Sequence, residues 1–430
     1  MTYRTKTAVV LVAVLALVGA ACGGGGKKNA TPAPKGSLAG TTITLSVSLA
    51  ESEVGPMQEV LSKFKDQTGV DVKLTKVEAR DLPGKLQVEV SSGNHTIQLF
   101  AQDNLALAVL VDKGLVEDLS DVQIPAGVTQ ALIPDKFDGK QYFLPFRPNV
   151  RVTYVNKDRF ASAGVQPPTT TDEFKTVAEK LKQAAGGQGK VTLSLSDTGG
   201  DTGPLGVTMS EWIVSYGGNP LLLNDQGSKD AITFLQGMWK EGDFAKESLQ
   251  AKFDTEVNYL RGETSWLATN WPFTTGELAK TGILDKFQVY AGWKGPARAA
   301  HVVGGDVLGI PKGVSGNQKE AAIELAQFLV SKDAQTILVA KNSWPSVRSD
   351  ALADVPADQK QTFDAITAAL ADGWYRPNVV YWSDVESAMD DVIHKAIVGG
   401  QDVQTVLDAA HAKIAAAAQS KGATYPPPSS

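Results

Sequence analysis

The chain has 430 residues, and its 41 lysines and arginines against 47 aspartates and glutamates give a formal charge of −6 at neutral pH. An acidic chain without basic runs is poorly suited to nucleic acid, because that binding depends on clustered cations that neutralise phosphates. We therefore expect no nucleic-acid partner, and the length favours a body of two domains.

The first 38 residues predict export and anchoring. Residues 1–21 carry basic residues and then an apolar run at 8–18, which is typical of a signal peptide because it is too short to span a membrane. Cys22 is the only cysteine, and residues 17–22 resemble a bacterial lipobox, which implies lipidation of Cys22; ordinary secretion is the alternative. Residues 22–38 predict a flexible tether, and 421–430 a tail.

The globular part opens with alternating strand and helix patterns. Apolar residues alternate over 41–49, recur at helical spacing after Pro56, and continue as strand, helix and strand to residue 101. This order predicts a parallel sheet covered on both faces, with ligands binding beyond the carboxyl ends of its strands. Glu53 and Asp103 fall at two of these ends, as ligand-binding candidates or, alternatively, as helix caps or solvated loop residues.

A crossover into a second lobe is predicted at residues 145–148. Two prolines forbid a helix there, and a fresh alternating strand follows at 150–156. Arg147 and Asn149 stand at this junction, and another α/β series follows. Further along, the pair Gly304-Gly305 lies inside a predicted strand, where paired glycines mark a bend or a close backbone approach.

Residues 263–276 carry the pattern most suggestive of a ligand. The first half alternates as a half-buried strand does, and the strand ends at Trp271 because Pro272 cannot extend a ladder. An indole beside Asn270 and Phe273 offers an apolar face and a hydrogen-bonding rim, which is what a sugar ring requires. The alternative is that Trp271 is an ordinary core residue.

Taken in order, these elements resemble the extracellular solute-binding proteins of ABC importers, in their carbohydrate-binding family 1. The resemblance covers nearly all of the chain after the signal peptide. Asn270-Trp271-Pro272 and the placing of the acids are most similar to the trehalose/maltose-binding lipoprotein branch. The other marks are residues 114–120, 142–145 with 150–160, 304–312 with the predicted helix 318–330, and 345–348.

The resemblance implies an α/β fold of the type 2 periplasmic-binding-protein kind, with two lobes joined by three hinge crossings. The expected division is 39–147 with 306–346 for lobe 1, and 148–305 with 347–420 for lobe 2. It further implies a lipid-anchored monomer on the outer face of a bacterial membrane. There it captures an oligosaccharide, such as trehalose or maltose, and delivers it to an ABC permease.

The resemblance also implies the residues that contact the sugar. Carried over by position, they are Glu53, Asp103, Asn149, Trp271, Gly305, Asp306 and Arg348. Weaker candidates, with ordinary packing as their alternative, are Glu51, Arg147, Trp344, Tyr381 and Trp382.

No metal, cofactor or catalytic motif is predicted, because the four histidines are scattered and no cysteine pair exists. Two other functions stay open. One is an exported carbohydrate-active hydrolase, in which paired carboxylates such as Glu53 and Asp103 serve as acid and nucleophile. The other is the same fold with a polyamine or a peptide as its ligand.

Overall fold

The computed structural model describes residues 37–197, 203–342, 344–352, 355 and 357–426. The predicted signal peptide, Cys22 and nearly all of the tether lie outside these residues. Within them, none of the helices combines the length and the apolar character that a membrane crossing requires.

The strands and helices alternate along most of the chain. The strands are β1 (Thr42–Val47), β2 (Asp71–Lys76), β3 (Leu99–Asp103), β4 (Leu144–Val150), β5 (Val152–Asn156), β6 (Val191–Thr192), β7 (Leu267–Asn270), β8 (Phe287–Tyr290), β9 (His301–Gly309) and β10 (Gly373–Trp374). The helices are α1 (Glu51–Thr68), α2 (Leu82–Ser92), α3 (Leu107–Asp112), α4 (Lys157–Ala163), α5 (Thr171–Ala184), α6 (Pro204–Ser215), α7 (Gln226–Glu241), α8 (Phe253–Arg261), α9 (Phe273–Lys280), α10 (Gly316–Leu329), α11 (Lys332–Asn342), α12 (Lys360–Ala371), α13 (Trp382–Val392) and α14 (Val403–Ser420).

These strands form two sheets. The first has the order β10-β9-β3-β1-β2, with β4 also paired to β9, and the second has the order β6-β7-β5-β8. The prediction of a parallel sheet is confirmed for β1, β2 and β3 but is wrong for the whole sheet, since β9 pairs antiparallel with β3 and β4. The pattern of residues 41–101 cannot reveal this pairing, because β9 lies about two hundred residues further along the chain.

Each sheet has its own apolar core. One core draws on residues 38–146 and 308–347, and the other on 155–267 and 381–418. A smaller cluster joins β5 and β8 to α12. Helices and sheets bury their apolar faces against each other in this way because neither element can cover its own. The exact lobe boundaries stay a prediction.

Helix α1 begins earlier than its apolar pattern predicts. The pattern starts after Pro56, whereas the helix begins at Glu51 and includes the proline. The Glu53 carboxylate accepts a hydrogen bond from the backbone N–H of Ala50 at 2.7 Å, which satisfies one of the donors that a helix start leaves unpaired. Glu53 is therefore a capping residue, whatever else it does.

Strand β7 is buried on both faces, so the prediction of a half-buried strand is wrong. It lies between β6 and β5, with Leu267 in the large core of the second sheet and Ala268 in the smaller cluster on the other side. The alternating polar residues suggested a face exposed to solvent, but their hydroxyl and amide groups form hydrogen bonds inside the protein. Asn270, for example, is fully buried and donates to the Phe253 carbonyl at 2.7 Å.

The crossing strands β4 and β9 approach each other closely, which confirms the prediction for the paired glycines. Gly305 has a φ of +113°, and a Cβ there would overlap the carbonyl oxygen of Arg147. A Cβ at Gly304 would stand 2.8 Å from the indole of Trp271. The glycines pair with Pro148 and Asn149 of β4, and the register between the two strands shifts just before them, between Pro145 and Arg147. Only residues without a side chain fit this part of β9.

We predict that Gly305→Ala destabilises the protein by about 2–4 kcal/mol, because it combines a disfavoured φ with a backbone collision. The measurement is urea denaturation followed by circular dichroism. Gly237→Ala is the matched control, since Gly237 lies inside α7 with open space around its Cβ position. This control is expected to be neutral or to stabilise by about 0.5–1 kcal/mol. Equal stability of the two variants would contradict the role given to the close approach.

Candidate functional site

A cleft of about 590 Å³ opens between the two sheets. From the first sheet it receives the segments that follow β1 and β2, the last residue of β3, and parts of β4 and β9. From the second sheet it receives the beginning of α6, the beginning of α8 and the residues that follow β7. The cleft thus lies where ligands of open α/β sheets bind, beyond the carboxyl ends of the strands.

The structure brings most of the sequence-predicted site residues to this cleft. Six of the seven main candidates line it: Glu53, Asp103, Asn149, Trp271, Gly305 and Asp306. Two of the weaker candidates, Arg147 and Trp344, line it as well. The remaining four lie elsewhere.

An ion network forms the cleft wall on the side of the first sheet. The Arg147 guanidinium donates to Glu53 at 3.2 Å and to Asp306 at 2.5 Å. Asp103 is the direct partner of Asp306 in the pairing of β3 with β9. Burial alone would lower the pKa of Arg147, but the attraction of Asp306, Glu53 and then Asp103 outweighs it and raises that pKa. The guanidinium is therefore charged at any physiological pH.

Glu53 is both a helix cap and part of this wall. One carboxylate oxygen accepts from the Ala50 N–H, and the other accepts from Arg147 and, at 2.5 Å, from the indole N–H of Trp344. The residue is 4% exposed. A carboxylate has about four acceptor positions, so Glu53 keeps about one for a ligand.

The wall on the side of the second sheet is aromatic. Trp271 is 8% exposed and packs on Val207 and Val302, so it is a core residue as well as a cleft residue. The ring of Phe253 meets it edge-on, with centroids 5.6 Å apart. Asn270 links the two backbone segments that carry these rings, because its side-chain amide accepts from the backbone N–H of Trp271 at 2.8 Å and donates to the backbone carbonyl of Phe253.

Several cleft residues are absent from the sequence-based prediction. They are Glu78 and Arg80 after β2, and Lys252, Phe253 and Asp254 at the beginning of α8. The rule that ligands bind beyond strand ends could have found the first two, since β2 ends at Lys76. The residues of α8 enter the cleft through tertiary packing, which no local pattern records.

Arg348 and Glu51 lie outside the cleft lining. Arg348 is buried and holds both oxygens of Asp350 at 2.9 Å, while its third nitrogen donates to the Ala126 carbonyl at 2.6 Å. Its guanidinium thus ties the crossing at 344–348 to a neighbouring loop. Glu51 is exposed in the first turn of α1 and pairs with Lys76 at 3.2 Å.

Tyr381 and Trp382 are core residues in the second sheet's half of the molecule, each 1% exposed. The Trp382 indole donates to Glu386 at 2.8 Å and lies under the guanidinium of Arg376 at 4.1 Å. Glu386 in turn accepts from the N–H of Gly203, directly before α6. Because α6 begins at the cleft, Tyr381 and Trp382 affect the shape of the cleft only indirectly, through the position of α6.

A second, smaller cavity of about 30 Å³ lies behind the aromatic wall. Arg151 lines it, is 1% exposed, and donates to Thr208 and Glu211, both at 2.9 Å. Nearby, burial raises the pKa of Glu256 to about 7, although Arg151 and two hydroxyl donors oppose the shift. Burial likewise lowers the pKa of His301 to about 4. This cavity has room for water rather than for an organic ligand.

Among the residues that the structure describes, one group of carboxylates lies close enough together for a cation, at Glu179, Glu241 and Asp243. Lys182 pairs with Asp243 at 2.5 Å, and Lys175 pairs with Glu241 at 3.2 Å. The two lysines already supply the opposite charge, so the group is accounted for by ion pairs between α5 and the end of α7.

Comparison with known proteins relates the chain to one family. A family model described as bacterial extracellular solute-binding protein matches residues 59–364. The chain is 24% identical over 436 residues to a maltooligosaccharide ABC transporter solute-binding lipoprotein of Streptococcus pneumoniae, covering 94% of this chain and 95% of that protein. It is 30% identical over 183 residues to the diacetylchitobiose binding protein DasA of Streptomyces coelicolor, covering 40% and 43% respectively.

Among solved structures, the maltose-bound MalE3 of T. maritima superposes with a TM-score of 0.75 at 20% sequence identity. The match covers 87% of this chain and 99% of that one. At this level of identity the likeness concerns the fold, and it confirms the predicted two-lobed α/β architecture.

We predict that Glu256→Gln stabilises the protein at high pH only. The folded chain holds the Glu256 proton up to about pH 7, against a reference pKa of 4.5, so this residue's contribution to stability is fully present below pH 4.5 and lost by about pH 7. At pH 8 the variant should be more stable than the wild type by about 1–3 kcal/mol, and near pH 4.5 the two should be equal. Urea denaturation across this pH range measures the difference.

The exposed Glu247 provides the matched control as Glu247→Gln. A Glu256→Gln variant that is less stable than the wild type at pH 8 would show instead that the ionised carboxylate is a needed partner of Arg151.

Proposed function

The chain belongs to the family of bacterial extracellular solute-binding proteins, and from this premise we propose that it is the substrate-binding component of a carbohydrate ABC importer. It captures an oligosaccharide between its two lobes and delivers it to the permease. The observation that carries the proposal is the pairing of an aromatic wall with a wall of charged acceptors across one cleft.

The two walls match the two surfaces of a sugar. A pyranose ring has an apolar face, which stacks on Trp271 and Phe253, and a rim of hydroxyl groups, which donate to Asp103, Asp306 and Glu53. Hydrogen bonds to charged groups contribute roughly 1.5–3 kcal/mol each. A ligand that lacks a hydroxyl at one of these positions leaves a buried carboxylate unpaired, which gives the site its selectivity.

The proposed ligand is a glucose disaccharide such as maltose or trehalose. Support comes from the maltooligosaccharide relative and from the fold shared with a maltose-bound protein. The cleft volume lies within the range of about 300–1,000 Å³ that small-molecule sites occupy. A polyamine or a peptide would favour a site without the flat aromatic wall.

Ligand capture proceeds by closure of the lobes. The proposed hinges are β4, β9 and the crossing at 344–348. A sugar that contacts both walls binds the closed state better than the open state and so shifts the population towards closure. The closed monomer is then the form that the permease receives.

The site is proposed to bind rather than to hydrolyse. Glu53, which would be one member of a catalytic pair, accepts hydrogen bonds from three protein groups. A carboxylate held in this way suits a fixed acceptor better than an acid that must give up a proton at each turnover.

We predict that Trp271→Ala weakens maltose or trehalose binding by about 1–3 kcal/mol, by analogy with the loss of aromatic stacking elsewhere. Isothermal titration calorimetry against a panel of sugars measures this change. Trp239→Ala is the matched control, because Trp239 lies on α7 and packs against Phe244. An unchanged affinity of Trp271→Ala would show that this ring does not contact the sugar. Release of glucose from the titrated samples would show that the protein is a hydrolase and not a carrier.

The anchor is proposed to be a lipid on Cys22, placing the protein on the outer face of the cell membrane. We expect Cys22→Ala to shift the protein from the membrane fraction to the medium or periplasm, because one cysteine carries the thioether. Detergent phase partitioning of expressing cells reports the shift. The same partitioning of wild type and variant would argue for secretion without an anchor.

A further inference from the structure

We propose that Arg147 is a positioning residue of the sugar site, which places a positive charge between Glu53 and Asp306 and orients them as acceptors without itself contacting the ligand. The inference rests on the proposed function. It assigns to Arg147 a role different from both sequence-based alternatives, which are a weaker candidate for ligand contact and an ordinary packing residue.

Three carboxylates converge on this guanidinium from three separate elements. Glu53 comes from α1, Asp103 from the end of β3 and Asp306 from the neighbouring β9. Asp103 and Asp306 are cross-strand partners, and like charges in this arrangement destabilise a strand pair. Arg147 lies on β4, which is the other neighbour of β9, and pairs directly with two of the three acids. Its guanidinium thus places a positive charge between Glu53 and Asp306 and attracts Asp103 as well.

The donors of Arg147 are largely turned towards the protein. One terminal nitrogen pairs with Glu53 and the other with Asp306. Its Nε is buried and has no hydrogen-bond partner among the residues that the structure describes. One face of the guanidinium lies on the Trp344 ring, 4.3 Å from its centre, and the side chain is only 13% exposed. The Arg147 guanidinium is thus held by two carboxylates and by an aromatic ring. We therefore expect it to act on a ligand through the carboxylates that it orients.

Loss of the cation therefore changes the acceptors. In its absence, Glu53, Asp103 and Asp306 face one another in a poorly hydrated wall, and the group takes up a proton as the pH falls. A protonated carboxyl accepts more weakly than a carboxylate. The remaining charged groups that line the cleft are Glu78, Arg80, Lys252 and Asp254. They are exposed and balanced in sign, so they do not replace a buried guanidinium.

The test is the pH dependence of maltose affinity in the full chain. Calorimetry at pH 5, 6, 7 and 8 compares the wild type with Arg147→Met and with the conservative Arg147→Lys. We expect the wild type and Arg147→Lys to vary by less than about threefold over this range, because both keep the charge. Arg147→Met should bind at least about tenfold more weakly at pH 5 than at pH 8, because proton uptake then competes with the sugar.

A charge-balanced variant provides the matched control. Arg147→Met with Asp306→Asn removes one cation and one anion, so its affinity, although lower, should again vary little with pH. If both Arg147 variants lose affinity by the same factor at every pH, Arg147 is a direct ligand contact and the inference is overturned. An Arg147→Met variant that binds like the wild type throughout overturns it as well.

A measurement without sugar separates this inference from the proposed function. Wild-type protein that binds no sugar in the panel would contradict the proposed function alone. Relative to Arg147→Lys, the melting temperature of Arg147→Met should fall between pH 5 and pH 8, because the uncompensated carboxylates ionise and repel one another. Parallel melting curves for the two variants would show that Arg147 does not govern the charge of this wall.

Discussion

The close approach of β9 to β4 is the constraint on which the cleft depends. Gly305 allows the backbone of β9 to pass against the Arg147 carbonyl, and the next residue, Asp306, thereby meets the Arg147 guanidinium. The preceding residue, Gly304, has no side chain and so leaves room for the indole of Trp271. Two adjacent glycines thus place the charged wall and the aromatic wall of one cleft, since side chains at either position would push one wall away from the other.

Buried charge is distributed differently in the two halves. In the first half, Glu53 accepts hydrogen bonds from the helix start, Trp344 and Arg147 at once, so structural roles and the proposed binding role share one carboxylate. In the second half, the charge of Arg151 is paired with Glu211 behind the aromatic wall, whereas burial favours the protonated form of the nearby Glu256. Substitutions at Glu53 and at Trp271 will therefore both combine effects on stability with effects on affinity, because each side chain is buried and also lines the cleft.

Much of the cleft could be predicted from the sequence, and the reasons for the rest are physical. Glu53 and Asp103 follow strands, and a proline ends the strand before Trp271, so simple rules of sheet geometry locate them. Phe253 reaches the cleft from a helix start whose position depends on packing between distant segments. Arg348 has a suitable donor group, but it lies where a nearby carboxylate and carbonyl use it fully. Residue type indicates what a side chain can do, and only neighbours decide whether it is available.

The order of the chain gives the Glu386 contact a consequence for biogenesis. Gly203, at the start of α6, donates to a carboxylate that lies 183 residues further along. A polypeptide emerging through a translocon from its amino end exposes α6 long before Glu386, and β9 likewise follows β4 by some 150 residues. The cleft is therefore completed by the late segments, and a partly exported chain lacks the groups that hold its early segments in place.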